Sequence, residues 1–407
     1  MQVEALRAFR SHNYRLYFTG QSISLIGTWM QRTAVYWVVY IQTQSSLMLG
    51  VTVFATQFPS FLLSLVGGVV SDRYNRFKVL IVTQVASMVQ ATILTLLVLF
   101  AHYAIWEILT LSIVLGIINA FDVPARQALV YDMVDNKDDL SNAIALNSSM
   151  VNLARLVGPA FAGIVLEKLG AGICFLLNAA SFAAVLLSLL LMKLPKYISL
   201  ERKKKGISEL KEGFDYLRRT PSIGYVILLL ACISLIALPF NTLMPVYAKI
   251  IFNGNASIYG YINSCIGLGA ICGTIFLASL KKDANLRRIL FINTIIFGGG
   301  LILFSHISFF PLAMFFAVIT GFGMMSQTTI CNTIIQTNVE PDMRGRVISY
   351  FAMAFFGMQP IGGLLVGTIA NYIGAPNTIM AEGIAAIIII LFFYFLLIKQ
   401  YSKPVNQ

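Results

Sequence analysis

Apolar residues along this chain accumulate in runs of roughly 20 or more, the length that a helix rising 1.5 Å per residue needs to cross about 30 Å of hydrocarbon. The runs predict membrane-spanning helices at Tyr14–Tyr40, Leu47–Val70, Val79–Ala101, Trp106–Val123, Ala143–Leu166 and Gly172–Met192. After a polar stretch, six more are predicted at Ile223–Ile250, Ile258–Leu280, Ile289–Ser305, Pro311–Ile335, Val347–Tyr372 and Thr378–Ile398. The pattern describes an all-α polytopic membrane protein with an amino-terminal six-helix bundle over residues 1–194, a cytoplasmic linker over 195–221 and a carboxy-terminal bundle over 222–407. Gly and Pro inside several spans are compatible with this, because neighbouring helices or water satisfy the backbone groups they free.

Composition agrees: 58% of the 407 residues are hydrophobic, 11% are charged, and mean hydropathy is +0.80. A soluble domain does not bury that much apolar surface. The net charge of +12 would suit nucleic acid if it formed one polar face. Instead the basic residues flank alternate ends of the spans: Arg7, Arg10 and Arg15; Arg73, Arg76 and Lys78; Arg126 and Lys137; Lys281, Lys282, Arg287 and Arg288; Arg344 and Arg346; Lys399 and Lys403. Residues 42–46 and 371–377 on the opposite side carry no charge. Basic loops stay cytoplasmic, so both termini are expected in the cytoplasm and nucleic acid is excluded as a partner.

Arg202 and Lys203 to Lys205 begin the basic part of the linker, with an amphipathic segment at Ile207–Leu217. They suit either a solvated linker or contact with anionic lipid headgroups. The first apolar run is too long for a cleaved signal peptide and has no small-residue cleavage site, so none is expected. Cys174, Cys232, Cys265, Cys272 and Cys331 lie in apolar spans, and His12, His102 and His306 are scattered. Neither set has metal-ligand spacing, and no nucleotide loop or nucleophile–base motif appears, so no metal, no cofactor and no enzyme activity are expected.

The halves repeat faintly. Asp138 before span five matches Asp342 before span eleven, and Gly163 with Gly170 matches Gly367 with Gly374, all at an offset of 204 residues. A parallel duplication of six spans gives such an offset.

The turn between spans two and three reads Gly67-Gly68-Val69-Val70-Ser71-Asp72-Arg73-Tyr74-Asn75-Arg76-Phe77-Lys78. It resembles the signature loop of the major facilitator superfamily, matching at Gly68, Asp72, Arg73 and Arg76. Asn75 takes the usual glycine position, where asparagine tolerates a left-handed turn. Ala120-Phe121-Asp122-Val123-Pro124-Ala125-Arg126-Gln127 with Asp132, and Asn147, Asn152 and Arg155 to Gly163, resemble the branch containing enterobactin exporters and transmembrane secretion effectors. Gly158, Pro159 and Gly163 resemble the fifth-span helix-packing motif associated with antiporters. The resemblance implies the major facilitator fold, with twelve spans in two pseudo-symmetric six-helix bundles.

Charged groups at the cytoplasmic ends are the gating candidates: Gly68, Asp72, Arg73 and Arg76 in the loop, joined by Asp122 and Arg126, four residues apart on span four. Charge-assisted bonds there would close the inner mouth in one state and release it in another. Arg32 and Arg155 sit deeper, where an ionisable side chain costs several kcal/mol (at least about 2.5–3.5) and normally faces a cavity. They are candidates for anionic-substrate binding, with Gln31, Asn147 and Gln327 as neutral polar candidates that serve equally as helix–helix glue. Glu107, Asp122 and Glu382 are the acids within or near spans, and Asp122 and Glu382 are the proton-coupling candidates.

Together these point to a secondary exporter, in a bacterial-type inner membrane, of a small amphipathic or anionic molecule of the siderophore or drug class. It would work by alternating access as a proton-coupled antiporter and a monomer, with membrane lipids and a proton gradient as partners. A lysophospholipid flippase of the same fold and a non-transporting scaffold are the alternatives.

Overall fold

The computed structural model describes residues 4–100, 102–194, 206–281 and 284–401; the side chains of residues 4–5, 72, 206–210 and 397–401 also lie outside the description. The basic linker residues Arg202 and Lys203 to Lys205 therefore lie outside the described residues. The chain folds into helices throughout: α1 (His12–Thr43), α2 (Ser46–Arg73), α3 (Arg76–Phe100), α4 (Ile105–Met133), α5 (Leu140–Leu169), α6 (Ala171–Leu190), α7 (Gly206–Arg219) and α8 (Pro221–Ile236). A 3₁₀ turn, the short α9 (Met244–Val246) and a π turn at Tyr247–Ile251 continue α8. Then follow α10 (Ala256–Ala278), α11 (Leu286–Ser305), α12 (Phe310–Asn338), α13 (Pro341–Ala352), α14 (Met358–Ile373) and α15 (Ala375–Tyr401).

Among the described residues, eleven helical stretches are long and apolar enough to cross a membrane, with α8 to Ile251 forming one and α13 to α14 another. The twelfth span is α1. Its 32 residues have the length, and its Gln21, Gln31 and Arg32 make it more polar than the rest. The chain divides into two compact units: residues 1–44, 55–202 and 254–264 form one, and residues 45–54, 203–253 and 265–407 the other. In the first unit α1 packs on α5 and α6, and α3 on α4 and α6. In the second, α11 packs on α12 and α15, and α8 on α14 and α15.

The repeated glycines do matching work in their own units. Gly170 and Gly374 adopt φ of +84° and +82°, where a Cβ is strained, and end α5 and α14 so that the next helix starts at once. A Cβ on Gly163 would lie 2.8 Å from the Ala256 carbonyl oxygen at the start of α10, and one on Gly367 would lie 2.5 Å from that of Ser46 at the start of α2. Both are close helix crossings of the small-residue kind.

The signature turn forms differently from the expectation for Asn75. Its φ is not positive. Instead its side chain accepts hydrogen bonds from the backbone N–H of Phe77 (3.0 Å) and Lys78 (3.3 Å), capping α3. The amphipathic linker segment forms α7 and packs on α13 within the second unit: Arg346 pairs with Glu212 at 2.8 Å, and Phe214 lies 6.5 Å from the Tyr350 ring.

Candidate functional site

The first unit holds two guanidinium groups around one indole. Gly158 on α5 makes this possible, because a Cβ there would fall 2.5 Å from Trp29 Cβ; only glycine lets α5 sit against α1 at that level. Arg155, one turn earlier on α5, then places its guanidinium 5.4 Å from the Trp29 ring centroid. Arg32, one turn along α1, lies 5.2 Å from the same ring and 5.6 Å from that of Tyr36, whose hydroxyl accepts from Arg32 Nε at 3.2 Å. No carboxylate pairs with Arg32 among the described residues. Stacking on aromatic faces stabilises the two cations without neutralising them.

Tyr259 on α10 belongs to this group although nothing in its local sequence marks it. It is buried, stacks on Trp37 (ring centroids 6.0 Å, 15°) and lies within electrostatic reach of Arg32 and Tyr36. Pro159 and Gly163 continue the same α5 face: a Cβ on Gly260 would meet the Pro159 carbonyl oxygen at 2.6 Å. Beyond them Glu167 accepts from Asn255 Nδ2 at 2.5 Å and from the Ser257 hydroxyl.

The neutral candidates have partners of their own. Gln31 donates to Gln90 Oε1 (3.0 Å) and accepts from Asn178 Nδ2 (2.8 Å), while Gln90 donates to the Leu111 carbonyl (3.1 Å). All three side chains are buried, so this is a chain of interhelical bonds linking α1, α3, α4 and α6. Asn147 accepts from the Tyr14 hydroxyl at 3.1 Å. Tyr14 is 18 residues before Arg32 on α1, about 27 Å along the axis, so Asn147 stands apart from the arginine pair. Gln327 lies in the second unit, fully buried, with Thr328 Oγ1 donating to its Oε1 at 3.2 Å.

A second charged group surrounds Asp122, which is 4% exposed. Its Oδ1 accepts from Thr83 Oγ1 at 2.9 Å and Gln84 Nε2 at 2.7 Å, and its Oδ2 lies 3.4 Å from Arg126 Nε. Asp122 and Arg126 therefore pair as their spacing predicts, and α3 supplies two donors that sequence reasoning missed. The available signal was a polar stripe in an apolar span: Thr83, Ser87 and Gln90 recur at helical spacing and all are buried. Arg76 pairs with Asp132 at 3.7 Å, joining the start of α3 to the end of α4. Arg73 is exposed, and the side chain of Asp72 lies outside the described residues. Gly68 has open space where a Cβ would go, whereas a Cβ on Gly67 would overlap the Ala120 carbonyl, so of the two it is Gly67 that the close α2–α4 approach requires.

Of the remaining acids, Glu107 Oε2 accepts from the Ala104 N–H at 2.8 Å and caps α4. Glu382 on α15 is 4% exposed, and neither of its oxygens has a hydrogen-bond partner.

The family model for transmembrane secretion effectors matches residues 3–405. The chain belongs to that family. Its members are major facilitator transporters, not enzymes. The chain is 28% identical over 380 residues to the staphyloferrin A transporter of Staphylococcus aureus, covering 92% of this chain and 93% of that one. It is 24% identical over 390 residues to the enterobactin exporter of Shigella boydii, covering 95% and 92%, and 23% identical over 385 residues to macrolide efflux protein A of Streptococcus pyogenes, covering 91% and 94%. Among solved structures, a POT family transporter in complex with 5-aminolevulinic acid superposes with a TM-score of 0.75 at 15% identity, each chain covered to 96%. The nucleoside transporter NupG superposes at 0.74 and 12% identity, covering 95% of this chain and 99% of that one. These likenesses establish the major facilitator fold for this multi-pass membrane transporter of small molecules.

Proposed function

We propose that this transmembrane secretion effector exports a small anionic or amphipathic molecule of the siderophore or drug class, by alternating access between the bundles 1–194 and 222–407 and in exchange for protons. The observation that carries the reading is the arginine pair: two guanidiniums within 5.4 Å of one indole ring attract an anionic group, and the aromatic faces of Trp29 and Tyr36 offer stacking to an unsaturated one. The names of the relatives, a staphyloferrin transporter, an enterobactin exporter and a macrolide efflux protein, support both ends of that range. The basic loops support cytoplasmic termini, and in that orientation the Asp122–Arg126 pair, Gly68, Asp72, Arg73 and Arg76 would serve as gate elements of the inner mouth.

The test is uptake of catecholate and carboxylate siderophores, dyes and lysophospholipids into inside-out vesicles, with and without a proton gradient, comparing wild type with Arg32→Ala. Gradient-dependent uptake of a soluble anion that falls at least about tenfold in the variant is expected, from loss of one charge-assisted contact of about 1.4 kcal/mol or more. Selective movement of lysophospholipid would replace the reading with a flippase; no flux of any kind from folded protein would leave a scaffold.

A further inference from the structure

Glu382 is the only acidic side chain among the described residues with both carboxyl oxygens buried and neither hydrogen-bonded. It lies seven residues into α15, about 10 Å from the start of that helix. Its neighbour Gly383 lies at a close approach of α15 to α11: a Cβ on Gly298 would lie 2.7 Å from the Gly383 carbonyl oxygen, and one on Gly383 2.6 Å from that of Gly298. Thr378, Ile379 and Ala386 around it on α15 are buried. The buried acid thus stands one residue before a close glycine crossing.

The ionisable groups on the surrounding elements leave that acid without a counter-charge. Tyr247, in the π turn after α9, lies within electrostatic reach, but its hydroxyl donates to the Ser305 carbonyl at 2.7 Å. On α11 the only ionisable side chains are Arg287 and Arg288, ten or more residues before Gly298. On α8, Tyr225 packs against Phe393, eleven residues further along α15, and Cys232 carries no positive charge. Tyr372 on α14 is exposed, Lys249 is exposed, and His306 meets Asn377 at 3.3 Å. An ionised carboxylate with no hydrogen bond and no cation is among the costliest groups to hold in an apolar surround.

We propose that Glu382 is the proton-binding site of the transport cycle, holding its proton while the α11–α15 crossing is packed around it and releasing it when the helices separate and water reaches the carboxyl. Ionisation at a closed glycine crossing strands a charge, so the proton and the crossing are linked: losing one favours loosening the other. Asp122 lacks this property, because Thr83, Gln84 and Arg126 already compensate its charge. The assignment rests on the exporter reading only in naming what the proton drives.

The test reads proton occupancy without any transported compound. Wild-type protein in native membrane vesicles is treated with dicyclohexylcarbodiimide, which attacks protonated carboxyls in apolar sites, across a pH series, and the modified peptide is mapped by mass. Labelling at Glu382 is expected, falling about tenfold for each pH unit above its titration midpoint, with Asp122 unlabelled. A carboxylic C=O band in infrared difference spectra between low and high pH, absent in Glu382→Gln, is expected alongside it. A Glu382 that stays unlabelled at every pH, or is labelled equally throughout, overturns the proposal, the second case because a permanently protonated acid cannot couple. Wild-type labelling decides the matter even if the variant fails to fold. Failure of the vesicle panel would remove the exporter reading while leaving this titration in place.

Discussion

Gln31→Leu keeps the side-chain volume of Gln31 and deletes both halves of its amide. Two buried groups lose their partners, Gln90 Oε1 at 3.0 Å and Asn178 Nδ2 at 2.8 Å. Referred to an unfolded chain in water, each stranded group would cost about 1–3 kcal/mol. The relevant reference is different here, because α1 and α6 stay inserted when the bundle comes apart and their polar groups find other partners in the bilayer. Interhelical bonds measured against that reference average about 0.6 kcal/mol. Two such bonds give an expected loss of about 1–2 kcal/mol, a factor of about 5–30 in the folded to unfolded ratio. Reversible unfolding in bicelles measures this, with Asn178→Leu and the double variant completing a cycle. A coupling of about 0.5 kcal/mol or more is expected, since the two side chains touch. Unfolding at the wild-type midpoint with no coupling would refute the reasoning, and if transport affinity fell at the same time, Gln31 would be a ligand contact rather than glue.

Three further outcomes follow from the same geometry. Gly67→Ala drives a methyl into the Ala120 carbonyl and is expected to cost about 1–3 kcal/mol by thermal melting, whereas Gly68→Ala, with open space around it, melts like wild type. Asn75→Ala removes the cap of α3 and is expected to lower stability by about 1 kcal/mol in the same assay; Asn75→Gly, which restores the residue usual in the superfamily, costs only a few tenths. Asp122→Ala strands Gln84 Nε2 and Arg126, while the Thr83 hydroxyl keeps the Leu80 carbonyl; because Arg126 keeps 18% side-chain exposure, water recovers part of the loss, leaving about 2 kcal/mol; equal melting of Asp122→Ala and wild type would count against the cluster.

The spans were legible because hydrocarbon demands long apolar runs whatever the tertiary structure, and α1 stands out from the other spans for its polar residues. Arg32 and Arg155 were legible as exceptions to the same rule, and the half-chain spacing of Gly170 and Gly374 foretold two helix ends of nearly the same backbone shape. Partner choice was not legible. Asp132 takes Arg76, and Tyr259 joins Arg32 from 227 residues away, through helix packing that no local pattern encodes. Asn75 shows a subtler miss: its residue type suited both a left-handed turn and a helix cap, and only the backbone distinguishes them.

Satisfaction of polar groups sorts the membrane-embedded residues by role more sharply than their depth or type. Gln31, Gln90 and Asn178 bond one another, Asp122 has three partners, and Glu107 caps a helix; each is satisfied in this conformation. Arg32 is stacked on Trp29 and Tyr36 without a carboxylate, and Glu382 has neither oxygen bonded. In hydrocarbon an incomplete group is costly, and a transporter retains that cost only where something transient relieves it. On the reading proposed above, an anion would relieve Arg32 and a proton relieves Glu382. Arg32 and Glu382 lie in different units, and the exchange proposed above would use that separation if substrate and proton are bound by separate residues and linked through the helices that carry them.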